Sequence, residues 1–137
     1  MNLQEKFFSK FTPVTKVSDF QPGMPAMLEC FATWCPPCRG AIPHLAEMAK
    51  NTPEVYIVSV SREEESIVAA LKAKMPLMAK YNLAVDSTGT LNDFMEQQGV
   101  DGIPHAFLFD KTGALVWQGH PMDGECADKL KELAGKK

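Results

Sequence analysis

The chain has 137 residues, 45% of them hydrophobic and 23% charged, an ordinary globular balance that excludes collagen-like, disordered and low-complexity classes. That length suits one domain over residues 1–137, with a core that needs no disulfide staples. Fourteen Lys and Arg against seventeen Asp and Glu leave a net charge of −3, too acidic and too evenly spread for a nucleic-acid footprint.

No apolar run reaches the length of a membrane span, and Glu5, Lys6 and Lys10 interrupt the stretch from Met1 to Phe11, unlike the apolar segment of a leader. A cytoplasmic monomer without a membrane partner is therefore expected, or an exported one if a leader has been removed. Four cysteines, Cys30, Cys35, Cys38 and Cys126, make a poor disulfide framework, because two sit three residues apart and the others fall within apolar patterns.

Leu3, Phe7, Phe8 and Phe11 fall at helical spacing and predict a short amphipathic helix over Asn2 to Phe11. After Pro22, Gly23 and Pro25, the run Ala26 to Ala32 is apolar except for Glu29 and predicts a strand buried on both faces. A helix is predicted from Pro37 to Lys50, with Ile42, Leu45 and Met48 on one face and a kink at Pro43. The β-branched run Glu54 to Val60 is a central parallel strand, completing a βαβ unit.

Ser61 followed by Glu64 reads as a capping box for a helix whose apolar face is Ile67, Val68, Leu71 and Met75, ended by Pro76. A short strand over Tyr81 to Val85 follows, then a helix over Thr90 to Gln98 closed by Gly99. The runs His105 to Phe109 and Ala114 to Trp117, joined by Asp110-Lys111-Thr112-Gly113, predict a β-hairpin. Asp123 caps a last helix with Cys126, Leu130 and Leu133 on one face, and Lys129, Lys131, Lys136 and Lys137 suit its negative end.

The strongest chemical signal is Trp34-Cys35-Pro36-Pro37-Cys38-Arg39, at the end of a buried strand and the start of a helix. A helix N-terminus stabilises a thiolate, and the spacing brings a second sulfur within reach one turn on. Cys35, expected to be the more exposed, is then the nucleophile, and Cys38 resolves the mixed disulfide. The alternatives are half of a zinc site or a packed pair of thiols. Zinc needs four ligands, and Cys30, Cys126, His44, His105 and His120 form no second pair at ligand spacing. A peroxidase would need a hydroxyl residue three positions before its attacking cysteine, where Cys35 has Ala32. Cys30 and Cys126 are expected as small core residues. Of the scattered histidines only His105, next to Pro104, stands out.

Phe31-Ala32-Thr33-Trp34-Cys35-Pro36-Pro37-Cys38-Arg39, the helix proline Pro43, and the stretch from Gly102-Ile103-Pro104-His105 to Thr112-Gly113 together resemble the thioredoxin fold. More narrowly, they resemble the TlpA-like thiol-disulfide oxidoreductases. Tryparedoxins and nucleoredoxins share Trp-Cys-Pro-Pro-Cys; the hairpin and its Gly-Ile-Pro favour the TlpA-like branch. The resemblance runs from about Phe20 to the C-terminus. It implies an α/β fold with a central mixed sheet flanked by helices, and a helix-strand insertion before a cis-proline at Pro104.

The same resemblance implies that Trp34 presents a flat apolar surface to substrates and that the Ile103 backbone hydrogen-bonds an extended substrate. It also implies that Glu29, six residues before Cys35, lies behind Cys38 with a raised pKa and takes the proton of that thiol. An edge-facing or salt-bridged Glu29 is the alternative, since strand periodicity does not choose its face.

The expected activity is dithiol-disulfide exchange on a protein or small-molecule disulfide, with a dithiol electron donor and no metal or cofactor. A redox-inactive interaction module on the same fold is the opposing class. Pro36 and Pro37 remove two N–H donors that would stabilise the thiolate, which favours a reductant over a strong oxidant.

Overall fold

The computed structural model describes residues 2–135. The N-terminal segment does not form the single helix expected from its spacing. Instead a short helix α1 (Leu3–Lys6) gives way to a 3-10 turn over Phe8–Lys10. Adjacent Phe7 and Phe8 would point about 100° apart on one regular helix. The break at Phe7, with φ −128° and ψ −65°, lets Leu3, Phe7, Phe8 and Phe11 all be buried.

Next comes β1 (Thr12–Thr15), a strand that the sequence patterns did not reveal. Strand β2 (Ala26–Cys30) is buried along its whole length, as the apolar run implied, and ends two residues earlier than expected. Helix α2 (Pro36–Asn51) follows, with prolines at its first two positions and Pro43 inside it. Proline suits the first turn because the N–H it lacks has no intrahelical partner there. Strand β3 (Tyr56–Ser61) then lies parallel to β2.

Ser61 is the last residue of β3 and does not cap the next helix. Helix α3 (Glu65–Lys74) begins after Glu64, which makes no side-chain cap bond, and Ser61 Oγ accepts from the Glu63 N–H at 3.0 Å, before the helix starts. Val68 is buried, while Ile67 is exposed instead of lying on the inner face. A 3-10 segment over Pro76–Lys80, β4 (Asn82–Val85) and α4 (Thr90–Gln97) complete the insertion. Gly99, at φ 69°, closes α4 in the left-handed conformation that glycine takes without strain. The hairpin of β5 (His105–Phe109) and β6 (Leu115–Gly119) leads to α5 (Gly124–Leu133), where Asp123 accepts a bond from the Glu125 N–H. Lys136 and Lys137 lie outside the described residues.

The six strands form one sheet in the order β1-β4-β3-β2-β5-β6. β4, β3 and β2 run parallel, while β1, β5 and β6 add antiparallel pairings. Side chains alternate across it. On one face Met27, Ile57, Leu83 and Leu108 pack with Ile42, Leu45, Val68, Cys126 and Leu130 from α2, α3 and α5. On the other, Leu28, Val58, Ala84 and Phe107 meet the N-terminal aromatics and Leu91 and Phe94 of α4. Asn82, at the start of β4, ties the segment after β1 to the sheet. Its Oδ1 accepts from the Val17 and Ser18 N–H groups at 2.9 and 3.1 Å, and its Nδ2 donates to Ile57 O at 3.0 Å.

Candidate active site

Cys35 sits at the N-cap of α2, on the carboxyl side of β2, and is disulfide-bonded to Cys38 one turn along. Their Cα atoms are 5.2 Å apart. Since Pro36 and Pro37 carry no N–H, the donor reaching the first sulfur is the Cys38 N–H, 3.3 Å from Cys35 Sγ. Exposure does not distinguish the two cysteines as the sequence suggested, because Cys35 is 3% and Cys38 2% exposed. They differ in position: Cys35 lines an open cavity of about 540 Å³, and Cys38 does not.

Trp34, also on that cavity, is 68% exposed, so it is a surface ring and not a core residue. Ile103 completes the wall beside the cysteine, its carbonyl oxygen 3.7 Å from Cys35 Sγ, and the Ile103–Pro104 bond is cis. Leu91, Met95 and Glu96 of α4 and Asp101 after it also line the cavity.

Glu29 is fully buried, which removes the edge-facing alternative. Met27 packs with Cys35 and Cys38, and Leu28 and Cys30 pack on the opposite face. Alternation along β2 therefore puts Glu29 on the side of Cys38. Ser59, its register partner on β3, donates its hydroxyl to Glu29 Oε1, and Oε2 has no hydrogen-bond partner among the described residues. Burial pushes the carboxyl up from its ordinary 4.5 to about 8, with the Ser59 bond partly opposing.

The free cysteines are structural in setting. Cys30 and Cys126 are both buried. Burial, then the nearby Glu29 charge, pushes the Cys30 thiol up, while burial followed by Asp123 and Glu29 pushes Cys126 up to about 12. His105 bonds Gln118 at 3.0 Å, and burial lowers its pKa.

The sequence reading missed what anchors the loop between β2 and α2. Thr33 donates its N–H to Glu63 Oε1 at 2.7 Å and its hydroxyl to Glu63 Oε2 at 2.6 Å. Arg39 Nη1 donates to the Thr33 carbonyl at 2.8 Å. Only the nearness of Thr33 and Arg39 to the cysteine pair was visible in the chain, since Glu63 is thirty residues away. Ser59 was also missed, although it is the one polar residue amid Ile57, Val58 and Val60, on the strand next to the one bearing Glu29.

Among the described residues, no helix is long and apolar enough to cross a membrane. A DsbE thiol:disulfide interchange protein of Pseudomonas aeruginosa is 33% identical over 94 residues, covering 68% of this chain and 49% of that protein. The chain thus spans about half the length of that relative. Tryparedoxin of Trypanosoma brucei brucei is 37% identical over 101 residues, covering 69% of this chain and 67% of the relative. Among solved structures, an exposed lipoprotein thioredoxin of Streptococcus pneumoniae superposes with a TM-score of 0.67 at 25% identity, covering 82% of this chain and 87% of that one. These matches bear out the thioredoxin fold, whereas the lipoprotein gives no support to the expected cytoplasmic location. The AhpC/TSA family model matches residues 8–118, a span that holds both cysteines and the cis-proline, and the chain belongs to the AhpC/TSA family, beside a relative named for thiol:disulfide interchange.

Proposed function

We propose that the chain is a thiol-disulfide oxidoreductase that reduces protein or small-molecule disulfides. The observation carrying this reading is the Cys35-Cys38 pair at the first turn of α2, with Cys35 on an open cavity and Cys38 behind it. In the reduced protein the Cys35 thiolate attacks one sulfur of the substrate disulfide. A bond forms between Cys35 Sγ and that sulfur, and the other substrate sulfur leaves as a thiolate. Cys38 then attacks Cys35 Sγ, closing the protein disulfide and releasing the second substrate thiol. The substrate gains two electrons, the protein loses them, and a dithiol donor restores the pair.

Glu29 supports the second step. The ionised fraction of a carboxyl titrating near 8 is basic enough to take a thiol proton and grows as pH rises past neutrality, and the group lies on the Cys38 side of β2. Trp34 and Ile103 line the cavity with Cys35 and offer the surface against which an extended substrate would lie, with the cis Pro104 setting the course of the Ile103 backbone. The reductant direction rests on Pro36 and Pro37, which leave the Cys38 N–H as the recorded donor to Cys35 Sγ.

Turnover of insulin disulfides driven by dithiothreitol tests the activity, and an inactive reduced protein would favour the interaction-module reading. Cys38→Ser should trap mixed disulfides on Cys35. Failure to trap any, with the reduced protein otherwise active, would overturn the assigned order of the two cysteines.

A further inference from the structure

Thr33 and Trp34 precede Cys35 in a loop whose largest side chain faces outward, Trp34 being 68% exposed. A ring so exposed packs little and cannot itself fix the loop. The restraint comes from Thr33, whose three polar groups are all engaged: the N–H and hydroxyl by Glu63, the carbonyl by Arg39. Glu63 is in turn locked in place, since its Oε1 accepts from the Ser61 hydroxyl at 2.8 Å and its N–H donates to Ser61 Oγ at 3.0 Å. Ser61 is buried at the end of β3, so the loop is tied to the centre of the sheet.

We propose that Glu63 is a positioning residue: through Thr33 it holds the Trp34-Cys35 segment in the geometry at which Cys35 meets a substrate disulfide. This deepens the exchange reading above and rests on it. Both carboxylate oxygens are occupied by donors from Thr33 and Ser61, which leaves Glu63 poorly placed to act as a base. None of the bonds of the clamp involves a sulfur. The clamp therefore holds Cys35 alike before and after the pair is reduced, and the reduced protein has no loop to reorganise before attack. Short bonds to a carboxylate are the strong kind, and small misplacements of a reacting atom carry large rate penalties.

The test compares wild type, Glu63→Ala, Thr33→Val and the double variant, all reduced, by the second-order rate of reaction with insulin disulfides. Each single change should lower the rate about tenfold. The double variant should be no slower than Glu63→Ala, because Thr33→Val removes one of the two Thr33 bonds that Glu63→Ala already removes. Trp34 fluorescence anisotropy, read in a Trp117→Phe background, should fall in Glu63→Ala as the loop loosens. A merely stabilising Glu63 would not move that signal. Glu63→Gln, which keeps one acceptor oxygen, should recover part of both readouts, and with Thr33→Val it carries the comparison if Glu63→Ala does not fold. Additive rate losses, or an unchanged anisotropy, would overturn the clamp while leaving the exchange activity intact. An inactive wild type would overturn the exchange reading itself, with the anisotropy still deciding whether Glu63 holds the loop.

Discussion

Replacing Glu29 with Gln should make the protein more stable at neutral pH and slower to resolve a mixed disulfide. In the folded chain the carboxyl titrates near 8, against 4.5 when unfolded and solvated. Below pH 4.5 both states hold the proton and the group adds no pH dependence. Between 4.5 and 8 the unfolded state releases its proton while the folded state keeps it, so stability falls by about 1.36 kcal/mol for each pH unit. The interval from 4.5 to 7 amounts to about 3 kcal/mol, and the full interval to about 5 kcal/mol, after which the slope vanishes. Gln carries no titrating proton and still offers an oxygen to the Ser59 hydroxyl, so it removes the slope at small structural cost.

Urea unfolding of both proteins between pH 4.5 and 8.5 measures this directly. The advantage of Glu29→Gln over wild type should widen by several kcal/mol across that range. An advantage that does not change with pH would show that burial does not raise the Glu29 pKa, leaving an ordinary carboxylate too weak a base to take the Cys38 proton. The kinetic half is read by rapid-mixing resolution of a preformed mixed disulfide on Cys35. Resolution should slow in Glu29→Gln near neutral pH, whereas alkylation of Cys35 in the same variant should stay close to wild type.

In the reduced protein one thiol, Cys35, should titrate below the free-cysteine value of about 8.5, since it caps α2; equal alkylation of Cys35 and Cys38 across pH would refute this. The reduction potential of the pair should lie toward about −270 mV, and a value near −120 mV in a glutathione redox titration would refute the reductant assignment. Asn82→Ala should destabilise the fold by about 2 to 4 kcal/mol, because it strands the Ile57 carbonyl and two loop N–H groups; a loss under about 0.5 kcal/mol in thermal unfolding would show that water replaces those bonds.

Much of this arrangement was legible in the chain because it depends on short-range pattern. The runs from Ala26 and from Glu54 announced buried strands, and Cys-Pro-Pro-Cys marked the start of α2. Gly99 and Asp123 marked helix ends where they were expected. The failures share a physical cause. Ser61 and Glu64 have the spacing of a capping box, but Ser61 ends β3 and its Oγ takes the Glu63 N–H, while the helix starts only at Glu65. β1 is short, polar and contains Pro13, so it has neither periodicity nor strong propensity; pairing with β4 makes it a strand. The grip of Glu63 on Thr33 spans thirty residues, and no local rule reports such a contact. The depth of Glu29 was likewise settled by its neighbours, since its own strand left the face undecided.

Pro13 in β1 has a further consequence. This strand is an outer edge of the sheet, and edges are where a second chain can add strand upon strand. Here the free row of donors and acceptors is spoiled twice: proline offers no N–H, and the register with β4 slips between Pro13 and Thr15. An incoming strand would find neither a straight template nor a full set of partners on that side. A weakly specified segment is thus suited to its place, because its poor strand chemistry lets the chain expose a sheet edge without inviting edge-to-edge aggregation there.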